Sequence, residues 1–101
     1  MKNYKISVII CAAGKGERAG FGKNKLLTPL LGAPALYHTL EKFNLPEIDE
    51  VIITSSKEDF AEISALASPF DFKVVSGGKT RTESVKRAIS AVTGDIVLVH
   101  Y

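Results

Sequence analysis

The chain is short of several features, and each shortage excludes something. A single cysteine, Cys11, rules out an internal disulfide. It lies inside an apolar run and is expected to be a buried thiol in a reducing, cytoplasmic setting, with a reactive thiol as the other reading. No apolar stretch is long enough to cross a membrane. The start MKNYKISVIICAA imitates a secretory signal, but its short apolar part runs straight into a cationic, glycine-rich segment, so it is expected to stay in the folded protein. A formal charge of +2 is too small to argue for nucleic acid or a membrane surface, and any basic site must come from local clustering. Repeats, linkers and low-complexity segments are absent, and 101 residues allow one domain at most.

What is present is an alternation of strand and helix patterns. Ile6 to Cys11 is a near-continuous apolar run, as in a strand covered on both faces. Residues 12–32 show little periodicity. Pro34 opens a helix pattern with Leu36, Leu40 and Phe43 on one face, ending near Pro46. Val51 to Thr54 reads as a second strand. Ser55 and Glu58 have capping-box spacing ahead of a helix with Phe60, Ile63, Leu66 and Ala67 inward. Phe72 to Val75 is a third strand. Thr80 and Glu83 repeat the capping spacing before Val85, Ala88, Ile89 and Val92, and Ile96 to Val99 is a fourth strand after the Gly94-Asp95 turn. Four strands separated by helices imply right-handed crossovers and an α/β fold: a Rossmann-like, mostly parallel sheet with helices on both faces.

Ligands in such sheets bind where the loops gather at the carboxyl ends of the strands. The loop after the first strand, AAGKGERAGFGKNK, combines Gly14, Gly16, Gly20 and Gly22 with Lys15, Arg18, Lys23 and Lys25. Glycines let backbone N–H groups approach an anion, and the cations supply charge, so the loop has the chemistry of a polyphosphate cradle. A solvated surface loop is the bland alternative. A dinucleotide fingerprint is matched only loosely by Gly14, Gly16 and Ala19, and the second strand ends in Thr54-Ser55-Ser56 without the acid that would hold a ribose. A P-loop is excluded, because Glu17 and Asn24 stand where it needs glycine and Ser or Thr. The second loop, GGKTRTESV, offers Gly77-Gly78 for close backbone contact, a helix start behind it, and Arg81 and Ser84 within reach of a base, ribose or phosphate. A plain turn with an exposed arginine would look the same.

Taken together, AAGKGERAGFGKNKLL, GAPALYHTLEKF, VVSGGKTRTESVKRAI and IVLVH resemble successive motifs of the 2-C-methyl-D-erythritol 4-phosphate cytidylyltransferase family over essentially the whole chain. The first motif is shared with many nucleotidyltransferases. The GG-x-x-R-x-x-S-V segment narrows the resemblance to this family and its relative, ribitol-5-phosphate cytidylyltransferase. The resemblance implies that Arg18 and Lys25 stabilise charge on the reacting α-phosphate of CTP. It also implies nucleotide binding by Ala12, Ala13, Gly14, Lys15 and Gly16 and by Gly78, Lys79, Arg81 and Ser84 of the 78–84 segment.

The implied reaction is attack of a sugar-alcohol phosphate on CTP with release of pyrophosphate, assisted by magnesium (Mg2+). One departure bears on that metal: Tyr101 stands where the family carries an aspartate ligand. The family's acceptor residues, a further lysine and the arm of its homodimer would lie beyond Tyr101. The chain therefore reads as the nucleotide-binding portion of such an enzyme, expected to be truncated at its carboxyl end and inactive by itself. His100 is expected to be a strand-end side chain without a chemical role. A ribitol-phosphate enzyme, a non-catalytic nucleotide-binding fragment and a pure interaction module are the alternatives. No nucleic-acid or membrane partner is expected.

Overall fold

The computed structural model describes residues 3–13 and 25–100. Strand β1 (Ile6–Cys11) is followed by a hairpin of β2 (Pro29–Leu30) and β3 (Ala33–Pro34), helix α1 (Ala35–Phe43), β4 (Glu50–Ser55), α2 (Phe60–Ala67), β5 (Lys73–Ser76), α3 (Arg81–Ala91) and β6 (Ile96–His100). The main sheet has the order β5-β4-β1-β6, and every neighbouring pair in it is parallel.

β1 takes the centre because its side chains can be buried on both sides. Val8 and Ile10 join Leu36, Leu40, Val51, Ile53, Ile63 and Ala67 on the face covered by α1 and α2. Ile9 and Cys11 meet Ile52 and Ala88 on the face covered by α3. Ile9, Ile10, Ile52 and Ile53 are almost wholly inaccessible, and each such side chain contributes about 1.5–3 kcal/mol relative to exposure. From β1 the chain steps outward to β4 and β5, then returns to the other side of β1 for β6. That reversal, with right-handed crossovers, is what sends α3 to the opposite face from α1 and α2.

Several local expectations change. The stretch before α1 contains the β2–β3 hairpin, whose two-residue turn places Leu31 at φ 51° and Gly32 at φ 84°, the primed geometry that twists with its strands. Leucine is an unusual choice at a positive φ, which hid the turn from a composition-based reading. The His38 Nε2–H donates to the Leu30 carbonyl at 2.6 Å and ties this hairpin to α1. The Ser55–Glu58 capping box does not form. Ser55 is buried in β4, and α2 starts only at Phe60, behind Asp59. Phe60, expected inward, is 38% exposed, and Ile89, at helical spacing with Val85 and Ala88, is 49% exposed. β6 departs from a sheet covered on both faces, with all five residues exposed and Leu98 at 51%. It is an edge strand, and α3 lies over β1, β4 and β5 instead. No helix among the described residues is long and apolar enough to cross a membrane.

The amino-terminal edge of the sheet is closed by a polar network around Glu50, whose side chain is 7% exposed. Its carboxylate accepts from the Ser7 hydroxyl at 2.7 Å, the Thr93 amide at 2.9 Å and the Lys73 ammonium at 3.1 Å. Ser7 in turn accepts from the Gly94 amide at 3.0 Å. A side chain at position 94 would collide with the Ser7 hydroxyl and press to 3.0 Å on the Lys5 carbonyl, so the turn into β6 needs glycine. Burial by itself would raise the Glu50 carboxyl. The Thr93 amide, Ser7 hydroxyl and Lys73 ammonium outweigh burial and lower it from 4.5 to about 2.

A carboxylate with a depressed folded pKa stabilises the fold fully above its unfolded value and loses that contribution as pH falls through the folded one. Glu50→Gln is therefore expected to cost roughly 1–3 kcal/mol at neutral pH. It should also flatten stability against pH between 4.5 and about 2. Urea unfolding at several pH values checks this, and an acid slope that survives the substitution would place the titrating group elsewhere.

Candidate functional site

At the carboxyl ends of the strands, three segments converge: Ala12 and Ala13 after β1, Ser55 and Ser56 closing β4, and residues 77–80 after β5. The Ala12 amide donates to both the Thr54 carbonyl at 3.1 Å and the Thr54 hydroxyl at 3.2 Å, which extends the β1–β4 ladder by one residue. Ala12 is fully buried, so it shapes the floor of the region. The Gly77 amide donates to the Ser55 carbonyl at 2.7 Å. A Cβ at position 77 would come to 2.6 Å from the Ala13 Cβ and 2.8 Å from the Ser84 hydroxyl. Glycine is the residue that lets the loop after β5 lie directly on the start of the loop after β1. The two segments singled out from sequence thus touch at Ala13 and Gly77.

Helix α3 begins at this contact. Thr80 caps it, its hydroxyl accepting from the Glu83 amide at 3.1 Å. The Glu83 side chain pairs with Arg87 at 3.4 Å and packs beneath Gly78. Ser84 is 3% exposed and turned back toward the loop. Its hydroxyl accepts from the Gly78 amide at 3.0 Å and donates to the Thr80 carbonyl at 3.0 Å. Lys79 and Arg81 are exposed at the helix start. The region therefore presents exposed cations beside a helix N-terminus, a combination suited to an anion.

Gly14, Lys15, Gly16, Arg18 and Tyr101 lie outside the described residues. Lys25 opens a short 3-10 turn, Lys25–Leu27, that is joined to the core by buried Leu27. Ala12, Ala13, Gly78 and Ser84 are brought together, and Lys79 and Arg81 flank them. His100, at the end of β6, packs edge-on against Phe43 of α1 with ring centroids 5.2 Å apart. One residue was missed: the Arg87 guanidinium donates to the Gly77 carbonyl at 3.3 Å. Its Glu83-to-Arg87 spacing in the sequence was the available signal, since an i,i+4 pair so close to the helix start holds a cation beside the preceding loop. Among the described residues no three His, Cys, Asp or Glu side chains converge to hold a metal ion.

The sequence matches the family model described as IspD, 2-C-methyl-D-erythritol 4-phosphate cytidylyltransferase, over residues 6–101. It is 37% identical over 103 residues to the 2-C-methyl-D-erythritol 4-phosphate cytidylyltransferase of Clostridium botulinum, covering 95% of this chain and 45% of that protein. A relative of the same name from Bacillus licheniformis is 38% identical over 104 residues, covering 97% and 44% respectively. The fold is similar to the crystal structure of 4-diphosphocytidyl-2C-methyl-D-erythritol synthase from Anaerococcus prevotii, with a TM-score of 0.75, 31% identity, and coverage of 95% of this chain and 42% of that one. The chain thus spans a little under half the length of the relatives it matches. With the family's fold, its glycine-rich loops and a match from β1 to the last residue, the chain belongs to the 2-C-methyl-D-erythritol 4-phosphate cytidylyltransferase family.

Proposed function

We propose that this chain provides the nucleotide-binding part of a cytidylyltransferase. The reaction transfers CMP from CTP to a sugar-alcohol phosphate, 2-C-methyl-D-erythritol 4-phosphate, with release of pyrophosphate, in isoprenoid precursor synthesis. The observation that carries the proposal is the seating of Gly77 on Ala13, which lays the glycine turn after β5 on the start of the segment after β1, at the carboxyl end of a parallel sheet. The single cysteine, Cys11, is buried and in no disulfide, which supports a cytoplasmic setting.

In this reading Ala13, Gly78 and Ser84 frame the cytosine end of CTP, with Lys79 and Arg81 at the rim. Gly14, Lys15 and Gly16 receive the phosphates. Arg18 and Lys25 neutralise charge that builds on the α-phosphorus as the acceptor's phosphate oxygen attacks and pyrophosphate leaves. The protein's contribution to such a transfer is positioning and electrostatics, with little covalent chemistry of its own. A divalent cation, magnesium by resemblance, would supply charge neutralisation on the triphosphate. The described residues do not form a site for it, and the steps assigned here use none.

Two outcomes are expected. Isothermal titration of the chain should show CTP bound more tightly than ATP or GTP, because the backbone of residues 77–78 and Ser84 are the groups assigned to read a pyrimidine edge; equal affinity for all nucleoside triphosphates would refute this. In a version carried to the full length of its relatives, Arg18→Ala and Lys25→Ala should each lower kcat on the order of 100-fold, with a smaller change in KM for CTP. Pyrophosphate release measures both parameters, and a change confined to KM would make either residue a ground-state clamp.

A further inference from the structure

The two polar atoms of one peptide unit, Gly77–Gly78, are both held by side chains of α3. The Ser84 hydroxyl takes the Gly78 N–H at 3.0 Å, and the Arg87 guanidinium donates to the Gly77 carbonyl at 3.3 Å. We propose that Ser84 and Arg87 are positioning residues that lock the plane of this peptide and so determine which way the loop presents its donors and acceptors to the nucleoside. The second half of that statement rests on the nucleotide reading above; the first does not.

The need for a lock follows from the residues on either side of the bond. A peptide plane turns over by coupled rotation about ψ of the first residue and φ of the second, and side chains normally oppose it. Glycine on both sides removes that opposition. A freely turning peptide would exchange a donor for an acceptor at the same place in the loop, and cytosine and uracil differ by just such an exchange at one ring edge. Discrimination between them therefore requires something else to hold the plane.

Both holders are themselves fixed. Ser84 is 3% exposed, and its own proton goes to the Thr80 carbonyl at 3.0 Å, which leaves an oxygen lone pair for Gly78. Arg87 is steadied by Glu83 at 3.4 Å, one helical turn earlier. Glu83 in turn occupies the space into which a side chain at position 78 would project. The Gly77 amide, bonded to the Ser55 carbonyl at 2.7 Å, anchors the preceding peptide to β4. The Gly77–Gly78 plane is therefore the first rotatable unit after the strand anchor on the way to the helix cap at Thr80. With both side chains about half exposed, the Arg87–Glu83 pair adds little to global stability, so loss of Arg87 should act locally.

The test compares the wild-type chain with Ser84→Ala, Arg87→Met and Arg87→Lys by amide hydrogen exchange and by titration with CTP and UTP. In Ser84→Ala the Gly78 amide should exchange about tenfold faster, the loss of one hydrogen bond. Arg87→Met should speed it several-fold and shift the Gly77 carbonyl carbon resonance, and Arg87→Lys should restore part of both. Exchange in β1 and through the middle of α3 should not change. The preference for CTP over UTP should fall at least threefold in Ser84→Ala and Arg87→Met. Unchanged Gly78 exchange in both variants would overturn the lock, as would faster exchange spread along α3, which would mean a weakened helix. Faster Gly78 exchange with an unaltered CTP-to-UTP ratio would overturn its role in recognition. Failure of the wild-type chain to bind any nucleotide, with Gly78 still protected, would refute the nucleotide reading and not the lock, because the exchange measurement uses no ligand.

Discussion

β1 is hydrogen-bonded along both edges and buried on both faces, and this confines polar chemistry to its two ends. A strand so enclosed cannot place a charged side chain along its length without burying it unpaired, a cost of several kcal/mol. The residues Val8 to Cys11 obey that limit. At the amino end, the Ser7 hydroxyl donates a hydrogen bond to the Glu50 carboxylate. At the carboxyl end, the chain leaves the sheet through two alanines small enough for the loop after β5 to lie against.

The two ends are finished in different ways. Around Glu50, nearly every polar atom has a partner across strands β1, β4 and β5 and the turn before β6, so the network joins four segments distant in sequence. Such satisfaction favours rigidity and leaves no vacancy for a ligand. At the other end the hydrogen bonds are spent on orienting backbone. Ser84, Arg87 and Ser55 each hold an atom of residues 77–78, while the cations Lys79 and Arg81 remain exposed at the rim. One end supports the sheet, and the other prepares a surface.

Much of the scaffold was legible because its strands are apolar and its helices carry apolar residues at helical spacing. β1 runs from Ile6 to Cys11 as its composition predicts, and the β5 and β6 boundaries shift by one residue at most. The failures share a cause: local patterns were overridden by tertiary placement. Ser55 has the right spacing to cap α2, but it sits inside β4, where the ladder with β5 claims its backbone. Ile89 has helical spacing on α3, yet it is half exposed, while Ala88, Val85 and Val92 of the same helix pack on the sheet. The hairpin turn at Leu31 uses a residue that turn chemistry disfavours. In the site, glycines, cations and the helix start could be read directly. That Ser84 faces the loop, and that Arg87 joins it, depends on the rotation of α3 about its axis, which spacing alone does not set.

The charge of the chain makes sense only once it is divided between the two glycine-rich stretches and the rest. Residues 12–25 and 76–82 carry six of the thirteen cations and one of the eleven acids, so these two stretches of sequence are strongly positive while the remainder is net acidic. A modest overall charge thus hides a strong local asymmetry along the sequence. The N-terminus of α3 adds its partial positive charge at the carboxyl end of the sheet. On the opposite edge Glu50, Asp49 and Asp95 all accept hydrogen bonds from the backbone near β1, with their charge neutralised locally by amides and by Lys73. In the nucleotide reading proposed above, Lys79, Arg81 and the N-terminus of α3 would draw an anion toward the Gly77–Ala13 contact before any specific hydrogen bond forms. Specificity has then to come from groups that do not depend on charge. That places the burden on the orientation of a few backbone atoms, and on the side chains that keep them from turning.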